Sequence, residues 1–268
     1  MTYREGGAGS PIVFLHGNPM SSRVWRDVLP HVGERARCLA PDLIGMGDSG
    51  KPDIAYRFAD HARYLDAWFD ALSLGNVILV GYDWGGALAM DWAARHPDRV
   101  RGLVVFETFL RPMEWNEWPP RGAELFRSLR TPGVGEKMVL ELNQFLGRSL
   151  SNGIQRRIGE DEAAAYYAPY SDAASRRPLL QWPREIPIDG EPADVTALVD
   201  AYAKWLSQSP LPKLFINGNP GSILVGAQRE FCRAWPNQQE VTVRGSHFLQ
   251  EDSPADIGQA IARFLRRL

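Results

Sequence analysis

The chain has 268 residues, 44% apolar and 23% charged, with a formal net charge of -2. These are ordinary values for a globular protein and offer no basic surface to nucleic acid or an anionic membrane. Cys38 and Cys232 lie far apart. They have neither metal-ligand spacing nor a disulfide framework and are expected as reduced, buried thiols. No apolar leader follows Met1–Gly6 and no apolar run approaches a membrane span, so a cytoplasmic protein is expected.

In chain order, Pro11–Leu15 reads as the first strong strand, running into the turn His16-Gly17-Asn18-Pro19. A helix carrying Trp25 and Leu29 on one face is expected from Ser21 to Pro30, then a strand at Arg37–Ala40 and a Gly-rich loop from Leu43 to Gly50. Arg57–Leu72 reads as a long amphipathic helix, with Phe58, Ala62, Leu65, Phe69 and Leu72 at helical spacing. Val77–Val80 and Val100–Phe106 read as buried strands. Strand-helix alternation then stops: residues 108–188 carry Trp, Pro and helical stretches (Ala123–Leu129, Glu136–Phe145, Glu160–Tyr167) and read as a helical insertion. Alternation resumes with a helix at Thr196–Leu206, a strand at Lys213–Asn217, a helix at Gln228–Trp235, a strand at Glu240–Val243 and a closing helix at Ala255–Leu268. The expected fold is α/β, a mostly parallel sheet covered by helices on both faces, with residues 1–107 and 189–268 as the core domain and 108–188 as a helical cap.

The informative stretch is Val77 to Ala89. Strand, Gly81-Tyr82-Asp83-Trp84-Gly85, then helix is the layout of a nucleophile elbow, with Asp where acyl hydrolases carry Ser. A carboxylate is ionised at neutral pH and attacks without a base, giving an ester at a saturated carbon. Taken alone, Asp83 reads equally well as a helix cap. Its companions decide: Asn18, Asp83, Glu107 and His247 all fall just past the C-terminal ends of strands, where sheets of this class bind ligands. His247 is placed as the base that activates water against the ester. The loop Gly218-Asn219-Pro220-Gly221, a common position for the acid, has no carboxylate, which leaves Glu107 to orient the imidazole. The indole N–H of Trp84 and the amide of Asn18 supply donors for a departing anion, and the backbone N–H groups of both residues an oxyanion hole.

These residues resemble the haloalkane dehalogenases, in particular the subgroup with an Asp-His-Glu triad and an Asn-Trp halide pair. The matching stretches include HGNPMSSRVWRDVLPH, GYDWGGALAMDWAARHPDRV and SHFLQEDSPADIG and span nearly the whole chain. The resemblance implies Asp83 as nucleophile, His247 as base, Glu107 as acid and Asn18 with Trp84 as halide ligands, and it implies no metal or organic cofactor. It also implies a cap over an apolar pocket lined by Phe126, Phe145, Pro183, Ile186, Ile223 and Phe248. The partners it implies are a haloalkane, water and halide.

Two features depart from the family. Tyr82 stands where His usually precedes the nucleophile. The family also usually begins with two antiparallel strands, and too few residues precede Ile12 for both. About one strand is expected to be missing, which would expose another sheet edge and favour self-association. His16, Asp42 and Asp48 read as loop-fixing groups, and His31, His61 and His96 as solvated or capping. Trp115 and Trp118 read as cap packing. Tyrosines 166, 167, 170 and 202 keep an epoxide hydrolase open as a rival, since that chemistry needs tyrosine acids. Resemblances around GEKMVLELNQF add a coelenterazine-type luciferase monooxygenase. A non-catalytic hydrolase-fold binding protein is a third alternative.

Overall fold

A computed structural model describes residues 1–118 and 120–268. Pro119, in the Trp- and Pro-rich stretch of the insertion, lies outside the described residues. Seven strands form one sheet in the order β1-β3-β2-β4-β5-β6-β7. They are β1 (Tyr3–Gly6), β2 (Pro11–Leu15), β3 (Arg37–Pro41), β4 (Val77–Tyr82), β5 (Val100–Phe106), β6 (Lys213–Pro220) and β7 (Gln238–Gly245). Only β1 runs antiparallel, pairing with β3 in the register Tyr3↔Pro41 to Gly6↔Cys38. One short strand therefore does precede β2. It forms the sheet's outer edge, with Arg4 and Glu5 exposed. The central strands β2, β4 and β5 are apolar at consecutive rather than alternate positions and buried along nearly their whole length, as a sheet covered on both faces requires.

The helices are α1 (Phe58–Ala71), α2 (Asp83–Arg95), α3 (Pro120–Arg130), the single turn α4 (Val134–Glu136), α5 (Gln144–Gly153) and α6 (Glu160–Tyr167). They continue with α7 (Arg177–Glu185), α8 (Ala193–Leu206), α9 (Gly226–Arg233), α10 (Leu249–Asp252) and α11 (Pro254–Leu265). Helices α1, α2 and α8 pack together, while α11 packs on β6, β7 and the Leu29–His31 turn. Between β5 and β6 lie helices α3 to α8. No helix among the described residues is long and apolar enough to cross a membrane.

Two expected elements differ. The helix expected over Ser21–Pro30 is instead a pair of 3-10 turns, Ser22–Trp25 and Leu29–His31. Proline at the second turn removes a helical donor, and such turns bury Val24 and Trp25 without a full helix. The helix expected over Glu136–Phe145 is broken. A π-helical turn at Lys137–Glu141 ends where Asn143 takes a left-handed conformation (φ 49°), and Phe145 belongs to the next helix.

His61 is a further correction. It lies on the apolar face of α1, 1% exposed and stacked on Trp182 at 4.1 Å, rather than solvated. Burial lowers its pKa to about 3, which keeps the ring neutral.

Candidate active site

The elbow is built by close approach. Asp83 is the first residue of α2 and sits at φ 49°, strained for a non-glycine residue. Its backbone is held from both sides: Asp83 N–H donates to Glu107 O at 2.8 Å, and the Thr108 hydroxyl donates to Asp83 O at 2.6 Å. Glycine is required around it. A Cβ on Gly85 would lie 2.2 Å from Leu15 O, and one on Gly17 would lie 2.2 Å from the Asp83 carboxylate.

The Asp83 carboxylate has two distinct oxygens. Oδ1 accepts the Asn18 backbone N–H at 2.7 Å, and the Trp84 backbone N–H also stabilises the charged carboxylate. Oδ2 lies 3.7 Å from His247 Nε2, too far for a direct hydrogen bond. Burial raises the pKa of Asp83, opposed by the imidazole and by these two backbone donors.

His247 follows β7, and its Nδ1 lies 3.4 Å from Glu107 Oε2. Burial lowers its pKa, but the bond to Glu107 and the charges of Asp83 and Glu107 outweigh it, for a net rise. The loop carrying it is tied to the segment after α5: Gly153 O accepts the N–H of both His247 and Phe248, and Asp252 accepts those of Gln155 and Arg156. Next to Asp252, the buried Glu251 binds Arg26, Arg156 and Tyr166.

Glu107, at φ 42°, reaches into the loop after β6 that has no carboxylate of its own. Its Oε2 accepts the N–H of Ser222 at 3.0 Å and of Ile223 at 2.8 Å as well as facing His247. Gly221, at φ 75°, leaves room for this: a Cβ there would lie 3.0 Å from Glu107 Oε1. Arg111, four residues on, pairs with Glu117 rather than with Glu107.

Asn18, Asp83, Trp84 and His247 open onto one cavity of about 390 Å³. All six residues expected along the pocket, Phe126, Phe145, Pro183, Ile186, Ile223 and Phe248, line it. Phe109, Leu125 and Trp118 line it too. Trp118, read from sequence as packing only, is thus a cavity residue. Exposed Arg148 and Asn152 also contribute. None of the lining residues is a tyrosine. The hydroxyl of Tyr202 donates to Phe109 O, and that of Tyr166 to Glu251. A larger cavity, about 560 Å³ between Pro97 and Pro212, has neither carboxylate nor imidazole among its lining residues.

Trp84 is 1% exposed and stacked on Trp182 at 4.5 Å. It lines the cavity, and its indole N–H has no acceptor among the described residues. Asn18 Nδ2 donates one N–H to Leu179 O at 3.3 Å, which leaves one N–H, not two, for a ligand. His16 fixes the turn below: its Nε2 accepts the Leu43 N–H, so Nδ1 carries the proton and donates to Gly17 O. Asp42 holds its loop through the N–H groups of Ser22 and Asp48.

Residues 10–131 match the family pattern described as the α/β hydrolase fold. Over its full length the chain is 51% identical to a haloalkane dehalogenase of Sphingobium indicum, covering 92% of that protein. It is 49% identical to one of Mycolicibacterium smegmatis, covering 88%. Among solved structures, haloalkane dehalogenase DbeA of Bradyrhizobium elkani superposes with a TM-score of 0.96 at 46% identity, over 99% of this chain and 93% of that one.

Proposed function

The chain belongs to the haloalkane dehalogenases, hydrolases acting on carbon–halogen bonds, and on that premise we propose how its residues divide the reaction. Asp83 Oδ2, the oxygen on the His247 side, attacks the halogen-bearing carbon in line. The halide leaves toward the Trp84 indole N–H and the free Nδ2–H of Asn18. Each charge-assisted bond contributes roughly 1.5–3 kcal/mol. The product of this step is an alkyl ester on Asp83.

Ester formation neutralises Asp83. One of the two carboxylates that raise the His247 pKa is then gone, so the imidazole becomes a freer base at the moment one is needed. The 3.7 Å gap between Nε2 and the carboxylate gives a water access to both base and ester. The water adds to the ester carbon and gives a proton to His247. The oxyanion develops on Oδ1, already held by the Asn18 N–H, with the Trp84 N–H also directed at this carboxylate. Glu107 stabilises the imidazolium. Collapse expels the alkoxide, which takes the proton from His247. The carboxylic acid left on Asp83 sheds the proton that appears as product, so haloalkane and water give alcohol, halide and H⁺.

The observation that carries this reading is the cavity itself: a largely apolar wall over one carboxylate, one imidazole and two residues with side-chain N–H donors, Asn18 and Trp84. That lining suits a substrate that is apolar before cleavage and anionic after it. The epoxide hydrolase alternative lacks support, since no tyrosine is among the described residues that line the cavity. Residues 108–188, which supply Phe126, Phe145, Pro183 and Ile186, are the cap in this proposal. Cytoplasmic residence is supported by the two buried free thiols. Self-association through the edge of β1 belongs to the same proposal. Four residues with Arg4 and Glu5 exposed make a weak template, and a monomeric elution profile at micromolar concentration would count against self-association. The test of function is halide release across bromo- and chloroalkanes of graded length, with an epoxide and coelenterazine as comparators. Diol or light without halide would overturn it.

A further inference from the structure

Pro183 lies inside α7, at a position where other residues would donate an N–H to the carbonyl four residues earlier. That carbonyl belongs to Leu179, and it accepts the Asn18 side-chain amide at 3.3 Å. The helix has a gap in its ladder, and the gap is filled by a residue from the loop after β2. A carbonyl oxygen can only accept, so the nitrogen side of the amide must face it. The same amide cannot then rotate to put its oxygen toward the Trp84 indole, and Asn18 Oδ1 is left buried without a partner. An orphaned acceptor is costly and persists only where other contacts fix it.

We propose that Pro183 is a positioning residue for halide stabilisation. By withholding its N–H it frees the Leu179 carbonyl to clamp the Asn18 amide with its second N–H directed into the cavity. This rests on the reading of Asn18 and Trp84 as the halide donors. A residue with an N–H at 183 would restore the helical bond to Leu179 O, compete with Asn18 and let the amide turn. The oxygen of a turned amide would face the departing halide and repel it.

The test is a series at one position: Pro183→Ala, Pro183→Val and Pro183→Leu. All three restore the N–H and differ in volume. Three quantities are measured: the dissociation constant for bromide, and by rapid quench and mass spectrometry the rates at which the Asp83 ester forms and decays. Bromide binding and ester formation are expected to weaken together, on the order of tenfold and by similar factors in all three variants. Ester decay should stay within about twofold of the parent, and melting temperatures at or above it, because a helix-interior proline is removed. A purely structural role would instead lower stability and both rates. In an Asn18→Ala background, Pro183→Ala should have no further effect on bromide binding.

Bromide affinity and ester formation unchanged across the series, or changes that track side-chain volume, would overturn the proposal. Trp84→Phe separates the two layers of inference. If that variant binds bromide like the parent, the halide-pair reading itself has failed. If it binds weakly while the Pro183 series does not, only the clamp has.

Discussion

Replacing Glu107 with Gln isolates the one charge assigned to the imidazolium. The substitution is nearly isosteric. Its carbonyl oxygen can keep the bonds from the Ser222 and Ile223 N–H groups, and the new NH₂ would occupy the side where Oε1 has no partner among the described residues. The fold is therefore expected to survive. What is lost is a charge 3.4 Å from His247 Nδ1. At an effective dielectric near 20 that pair is worth about 5 kcal/mol. The amide dipole of Gln recovers part of it, leaving a loss of about 2–4 kcal/mol, or roughly 30- to 1000-fold in rate. The loss falls on one step. Ester formation needs no base and should proceed within a few-fold of the parent, while ester decay slows and alkylated enzyme accumulates. Rapid quench followed by intact-protein mass spectrometry reads both steps. Ester decay at the parent rate would refute the assignment of Glu107, and equal slowing of both steps would refute the division of labour.

Further outcomes follow from the same geometry. Trp84→Phe keeps an aromatic ring against Trp182 but removes the indole N–H. It should slow ester formation by roughly 10- to 150-fold, the equivalent of one charge-assisted bond, with ester decay largely spared, as read in the same quench assay. Asp83→Asn should be inactive yet more stable at neutral pH. Burial raises the folded pKa of Asp83 above its usual 3.8, so the folded chain holds that proton more tightly than the unfolded one. This favours the fold below about pH 3.8 and is lost as pH rises through the folded value. Melting curves of parent and variant should diverge at pH 7, with the variant higher, and converge in acid. A variant less stable at pH 7 would contradict this.

Much of the site was legible because it is written at strand ends. A strand, a tight turn and a helix place Asp83 with little dependence on the rest of the chain. The missing carboxylate in Gly218–Gly221 directs attention to Glu107; the structure extends β6 through Pro220, so most of that stretch is strand rather than loop, and the Glu107 side chain binds the N–H groups of Ser222 and Ile223 just beyond it. His61 was readable and missed. It falls between Phe58 and Leu65 on the apolar stripe of α1, and that spacing places it inside. The turns at Ser22–His31 and the break at Asn143 were not readable, since tertiary packing rather than local propensity decides them. Nor could any local pattern reveal Asn18 meeting Leu179, 161 residues away, or Arg26 meeting Glu251, 225 residues away. The first pair arises only when the segment between β5 and β6 folds back over the strand ends, the second when the loop after β2 meets the helix that follows β7.

The central claim is that an oxygen of Asp83, not of water, forms the first bond to carbon. A single turnover in oxygen-18 water, with enzyme in excess over a short bromoalkane, tests it directly. The account requires alcohol carrying ordinary oxygen and the heavy isotope in the Asp83 carboxylate, located by peptide mass spectrometry. Labelled alcohol with an unlabelled Asp83 would mean that water attacks carbon directly.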